Sequence, residues 1–139
     1  MRHPVFATSI VVVLVLAACG GGSSDEDQVR GTVEDLYGAF ADKDPGQICD
    51  QLARDQRETV AKGGGAHGPA TCEEVMGVAL NFVGRGKGLE DADSATVTKV
   101  ELDGDEATAT VELQGRSSRL GLRKEGGEWK VSDLNLNRL

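Results

Sequence analysis

The sequence predicts an α+β domain: three N-terminal helices packed on a curved antiparallel sheet of about four strands. Two observations carry this expectation. Apolar residues recur at helical spacing as far as Val83 and shift toward alternation from Ala95 onward. The second half is punctuated by Asp103-Gly104-Asp105, Gln114-Gly115 and Glu125-Gly126-Gly127, each a turn signal between short apolar runs. Length sets the scale: 139 residues leave room for one modest core.

The first helix follows from Val29, Val33, Leu36, Tyr37 and Phe40, with Arg30, Glu34, Asp35 and Asp42 mainly on the other side. Asp44-Pro45 supplies an N-cap type of residue before a proline suited to the first helical position. The second helix then carries Ile48, Cys49 and Leu52 inward and continues as a polar stretch from Arg54 to Lys62, where Gly63-Gly64-Gly65 ends it. Thr71-Cys72-Glu73-Glu74 has the capping-box pattern. Behind it Cys72, Val75, Met76, Ala79, Leu80 and Val83 hold the period of a third helix, broken by Gly84-Arg85-Gly86-Lys87-Gly88.

Alternation is clearest from Glu106 to Leu113, where Ala107, Ala109, Val111 and Leu113 face one way and Thr108, Thr110 and Glu112 the other. In the preceding run, Thr96 to Leu102, Val97 and Val100 are out of phase, which predicts a bulge or a short pairing. The third strand bears Leu120 and Leu122, the fourth Trp129 and Val131.

The chain's front end is different in kind. Arg2 and His3 precede an uncharged run from Val5 to Leu16, a charged n-region and an apolar h-region. Such a run is shorter than the roughly 20 residues a spanning helix needs. It closes in Leu16-Ala17-Ala18-Cys19, which resembles a bacterial lipobox. That resemblance implies cleavage before Cys19, a diacylglycerol on its thiol and acylation of the new amino terminus; two or three chains hold a protein on a membrane where one holds it only marginally. The alternative is a soluble exported chain cut near Ala18. The expected organisation is a leader over residues 1–18, a lipidated Cys19 with a flexible tether over 19–27, and one α+β domain over 28–139.

The net charge is −8, one unit more negative once Arg2 is removed, which disfavours nucleic acid and anionic headgroups as partners. The acidic residues are interleaved with Lys and Arg and read as solvated surface. With Cys19 lipidated, Cys49 and Cys72 remain, and in an oxidising space they can pair in one way; two free buried thiols are the alternative.

The stretch Tyr37-Gly38-Ala39-Phe40-Ala41-Asp42-Lys43-Asp44, the Ile48-Cys49 and Cys72 pair, Asp103-Gly104-Asp105 and Glu128-Trp129-Lys130-Val131, in that order, resemble small actinobacterial lipoproteins. Those are similar to the nuclear-transport-factor-two-like superfamily, a cone-shaped, cystatin-like α+β fold shared with ketosteroid isomerases and polyketide cyclases. The resemblance runs from Gln28 to about Leu134. It implies a sheet curled around the first helix and a pocket inside the cone, for which Val33, Tyr37, Phe40, Val111, Leu120 and Trp129 are the candidate lining.

Enzymes of that superfamily place a tyrosine of the first helix as oxyanion donor beside an aspartate or histidine base. Tyr37 matches the first position; Asp91, Asp93 and His67 fall in loops, so no base is assigned. Gly84 to Gly88 is not a phosphate loop, because no strand precedes it and Gly88 stands where a magnesium-binding hydroxyl would be needed. His67 with Cys72 falls short of the four ligands a structural zinc takes. The expectation is a non-enzymatic lipoprotein of the cell envelope on the extracytoplasmic face, a monomer or homodimer without cofactor or metal. It would bind an apolar small molecule or an envelope protein. An isomerase- or cyclase-like enzyme using Tyr37 is the alternative.

Overall fold

A computed structural model describes residues 23–64, 70–83 and 91–134. Among these residues four helices come first: α1 (Asp25–Asp42), α2 (Pro45–Gln51), α3 (Arg54–Gly63) and α4 (Cys72–Val83). A single turn of 3-10 helix, Ala92–Ser94, leads into β1 (Thr96–Asp103), β2 (Glu106–Leu113), β3 (Arg116–Glu125) and β4 (Glu128–Asp133), an antiparallel meander in that spatial order.

Helix α1 starts earlier than its apolar period suggests. Ser24 is its N-cap: the Ser24 hydroxyl accepts from Asp27 N–H at 3.2 Å, and the Asp27 carboxylate accepts back from Ser24 N–H at 3.3 Å. Asp25, Glu26 and Asp27 thus form a helical first turn, where their charge complements the macrodipole, and are not part of a tether. The expected leader over residues 1–18, Cys19 and Gly20 to Gly22 lie outside the described residues. Lys43, in the left-handed region at φ 55°, ends α1, and Asp44 accepts from Gln47 N–H at 3.0 Å to start α2 with Pro45 in the first turn.

The expected second helix is two helices. Leu52 and Ala53 are extended, at φ −84°, ψ 142° and φ −60°, ψ 154°, because this pair lies alongside β4 as a short parallel bridge, Leu52 opposite Val131. Ala53 N–H donates to the Val131 carbonyl at 2.8 Å. Helix α3 then restarts with no cap of its own; the Glu125 carboxylate, at the end of β3, accepts from Arg54 N–H at 3.2 Å instead. At its far end Gly64 lies so close to α4 that a Cβ there would overlap the Val75 side chain.

Helix α4 carries the expected capping box, Thr71 N–H donating to the Glu74 carboxylate at 2.9 Å and Glu74 N–H to the Thr71 hydroxyl at 3.2 Å. Cys49 of α2 and Cys72 of α4, both buried, form a disulfide with Cα atoms 6.1 Å apart. All three hairpins close with two-residue loops. Gly104, Gln114-Gly115 and Gly126-Gly127 take the positive φ these tight turns require. The bulge expected from the phase of Val97 and Val100 lies between Val97 and Lys99.

The sheet curves around α1. Arg30 Nη1 reaches the Val97 carbonyl on β1 at 2.7 Å, and Thr32 Oγ1, two residues on, reaches the Trp129 carbonyl on β4 at 3.1 Å. Those are the two edge strands, which a flat four-stranded sheet would hold about 14 Å apart. The concave side buries Val97, Ala107, Ala109, Val111, Leu120, Leu122, Trp129 and Val131 against Val29, Val33, Leu36, Tyr37 and Phe40 of α1, with Ile48, Leu52, Met76 and Leu80 closing the core. Burial of each larger side chain contributes roughly 1.5–3 kcal/mol.

Candidate functional site

The six residues expected to line a pocket are all brought together, but as core. Val33, Tyr37, Phe40, Val111, Leu120 and Trp129 each expose 3 % or less of their surface. A side chain on the wall of a ligand-sized cavity would expose that wall to water, and these do not. Tyr37 and Phe40 stack edge-to-face with centroids 6.5 Å apart within the core.

Tyr37 is therefore a packed residue in this conformation. Burial pushes its phenol above the ordinary tyrosine range, opposed in part by the Ser118 side chain on β3. A base would have to share its apolar surroundings, and no charged or polar side chain among the described residues is buried. Asp91 is on the surface, where its carboxylate accepts from Gln114 Nε2 at 2.9 Å and ties the β2–β3 turn to the 3-10 helix; Asp93 is exposed. His67 and Gly84–Gly88 lie outside the described residues.

Polar groups gather instead at three surface places. At the start of α1, Asp25 Oδ1 accepts from Lys124 Nζ at 2.7 Å and from Trp129 Nε1 at 3.1 Å, and the Lys124 ammonium lies 5.6 Å from the Trp129 ring centroid. The Lys124 hydrogen bond first, and Trp129 second, hold the Asp25 carboxyl below the usual range. This clamp satisfies the one polar atom of a buried tryptophan and fastens the first turn of α1 to the sheet.

A second cluster occupies a cleft of about 430 Å³ between α3 and the β3–β4 turn. Arg123 Nη2 donates to Asp55 Oδ1 at 2.7 Å and to Glu125 Oε1 at 3.0 Å, while Glu125 Oε2 takes the Arg54 N–H. The hydrogen bonds that Arg123 donates to Glu125 and then to Asp55 raise its pKa, and Arg123 lowers that of Asp55. The charges here answer one another, so the cleft docks α3 onto the sheet.

The third place, about 440 Å³, is a shallow depression on the outer sheet face floored by Thr108, Gly121 and Ser132 and rimmed by Glu101 and Arg119, which pair at 3.3 Å. It has no buried polar group aimed into it.

Apolar surface remains on α4. Val78 and Phe82, one turn apart, are 58 % and 75 % exposed, on the side opposite the buried Met76 and Leu80. Their signal was available in the sequence as the two large apolar residues that fall off the helix's apolar stripe. Asp25 and Lys124 had no such signal, being 99 positions apart. Among the described residues no helix is long and apolar enough to cross a membrane. The fold and its surface thus define a disulfide-tied α+β domain with a closed apolar interior. No family model matches the sequence, and no curated protein matches it at a significant level.

Proposed function

We propose that the chain is a lipid-anchored accessory protein of a bacterial cell envelope, whose domain works by holding a protein partner on its surface and turns over no substrate. The observation that carries the choice of a protein partner over an apolar small molecule is the closed interior: the six side chains that would line a pocket pack on one another. The exposed Val78 and Phe82 favour the same choice, since large apolar groups left on a small domain mark contact surfaces. The anchor rests on Leu16-Ala17-Ala18-Cys19 behind its charged and apolar leader. The Cys49–Cys72 bond suits an oxidising, extracytoplasmic space. A sheet curled about the first helix is in keeping with the cone-shaped superfamily the sequence resembles.

Three measurements test this reading. Cys19→Ala should move the protein from the membrane to the soluble fraction; continued sedimentation with membranes would refute the anchor. Native mass spectrometry of the purified chain should show no retained small molecule, and a bound lipid or isoprenoid would reopen the pocket reading. Phe82→Ser should preserve folding while reducing recovery of whatever protein copurifies from detergent extracts, and unchanged recovery would remove α4 from the interface.

A further inference from the structure

The outer edge of β1 carries an arrangement that fits a second copy of this chain. Among the described residues β1 pairs only with β2. Asp103 and Glu106 flank a two-residue turn and so form a hydrogen-bonded pair; alternation along the strand then turns the N–H and C=O of Leu102 and Val100 outward, away from β2. The edge carbonyl of Val97 is already taken by Arg30, which closes that end of the strand. Among the described residues, what remains open is the run from Thr98 to Leu102.

Within that run the charges are symmetric about one residue. Lys99 and Glu101 flank Val100 on the outer face and pair with each other at 2.9 Å, an exposed ion pair, with side chains 63 % and 49 % exposed, that an incoming strand can exchange for intermolecular ones. We propose that two copies join antiparallel along β1 about a two-fold axis through Val100, extending the sheet across the pair. In this register Lys99 stands opposite the second copy's Glu101 twice over, and Val100 exchanges backbone hydrogen bonds with its counterpart. Leu102, 47 % exposed in the single chain, lies across from the second copy's bulge at Thr98. Arg30, held at Val97, lies beside the second copy's Asp103. Moving the axis by one residue puts Lys99 against Lys99 or Glu101 against Glu101, so the charges select one register. An edge that carries charge usually repels other strands; here the same charges are self-complementary. This pairing concerns the folded domain and does not depend on the anchor or on the α4 surface.

The test is a charge exchange read by analytical ultracentrifugation of the full chain in detergent micelles, with circular dichroism as a check on folding. The wild-type chain should show a concentration-dependent dimer. Lys99→Glu and Glu101→Lys, each alone, should weaken self-association by about tenfold or more through like-charge contacts. An equimolar mixture of the two variants should associate like the wild type, because a doubly acidic strand then meets a doubly basic one. A wild-type chain that stays monomeric at millimolar concentration overturns the proposal. So does a dimer indifferent to both substitutions, or a mixture that fails to recover.

Discussion

At the β4 edge the chain covers its own sheet, whereas at the β1 edge the described residues leave the strand open with a bulge and alternating charges. The cover on β4 is built from the extended Leu52-Ala53 pair, the Ala53 N–H on the Val131 carbonyl, and Gln56 Nε2 on the Leu134 carbonyl at 3.3 Å. Nothing comparable from the described residues lies along β1 beyond the Arg30 guanidinium at Val97. The contrast separates a folding device from a recognition surface. An edge sealed by buried side chains and a satisfied hydrogen bond contributes to stability, while an edge finished with exposed charges contributes little and remains free to choose a partner.

The comparison can be broken most forcefully at Leu52, which is fully buried in the cover. Leu52→Ala should lower unfolding free energy by about 3–5 kcal/mol in a urea titration. A loss below about 1 kcal/mol would mean the cover is not part of the core. Removing the disulfide with Cys49→Ser and Cys72→Ser together should cost about 3 kcal/mol, since the bond spans 23 positions. Because Cys49 lies three residues before Leu52, amide exchange at Ala53 should accelerate more than exchange in β1–β2; equal acceleration would show that the staple supports the whole domain and not the β4 edge.

Ala53→Pro isolates the edge hydrogen bond. The backbone at Ala53 already has the φ of proline and Leu52 before it is extended, so the substitution removes one donor without refolding the segment. It should cost about 1–3 kcal/mol by leaving the Val131 carbonyl unanswered, and an unchanged thermal midpoint would show that water replaces the bond.

Asp25 should have a smaller, pH-dependent effect. Its folded carboxyl titrates below the ordinary range, chiefly through Lys124 and then Trp129. The stabilisation is therefore complete above the unfolded pKa of about 3.9 and is lost as pH falls through the lower folded value. Asp25→Asn should lower the thermal midpoint at neutral pH and converge with the wild type as the pH falls through the lowered folded value; a difference that persists in acid would assign the effect to something other than this charge. At the open edge, Lys99→Glu should leave the stability of the dilute single chain within about 0.5 kcal/mol, and a larger loss would mean that β1's charges help to fold it.

Much of this architecture was legible because its determinants are local. The capping box of Thr71 and Glu74, the Asp44-Pro45 start, the three glycine-bearing turns and the bulge forced by the phase of Val97 and Val100 each depend on residues within a few positions of one another. The inward face of α1 follows from a 3.6-residue period. The split of the second helix was not legible, because Gln51-Leu52-Ala53-Arg54 holds no glycine or proline and every residue in it is a good helix former. What unwinds it is Val131, some eighty positions away. Around Asp25 the start of a helix was legible in the Ser24-Asp25-Glu26-Asp27 capping pattern, whereas its clamp was not, since that is made by Lys124 and Trp129.

The candidate pocket shows the same division from the functional side. Val33, Tyr37, Phe40, Val111, Leu120 and Trp129 do face one another as their periodicity implies, but periodicity says which way a side chain points and not whether space remains between the layers. By itself the sequence determined the class of fold, the order of its elements, the turns, the cysteine pair that could close and the acidic surface, since each rests on spacing, propensity or composition. Tertiary structure alone decided that the interior is filled, that one sheet edge is covered and the other, among the described residues, open, and that Asp25 is clamped to Lys124 and Trp129, because each depends on distances between parts of the chain that the sequence holds far apart.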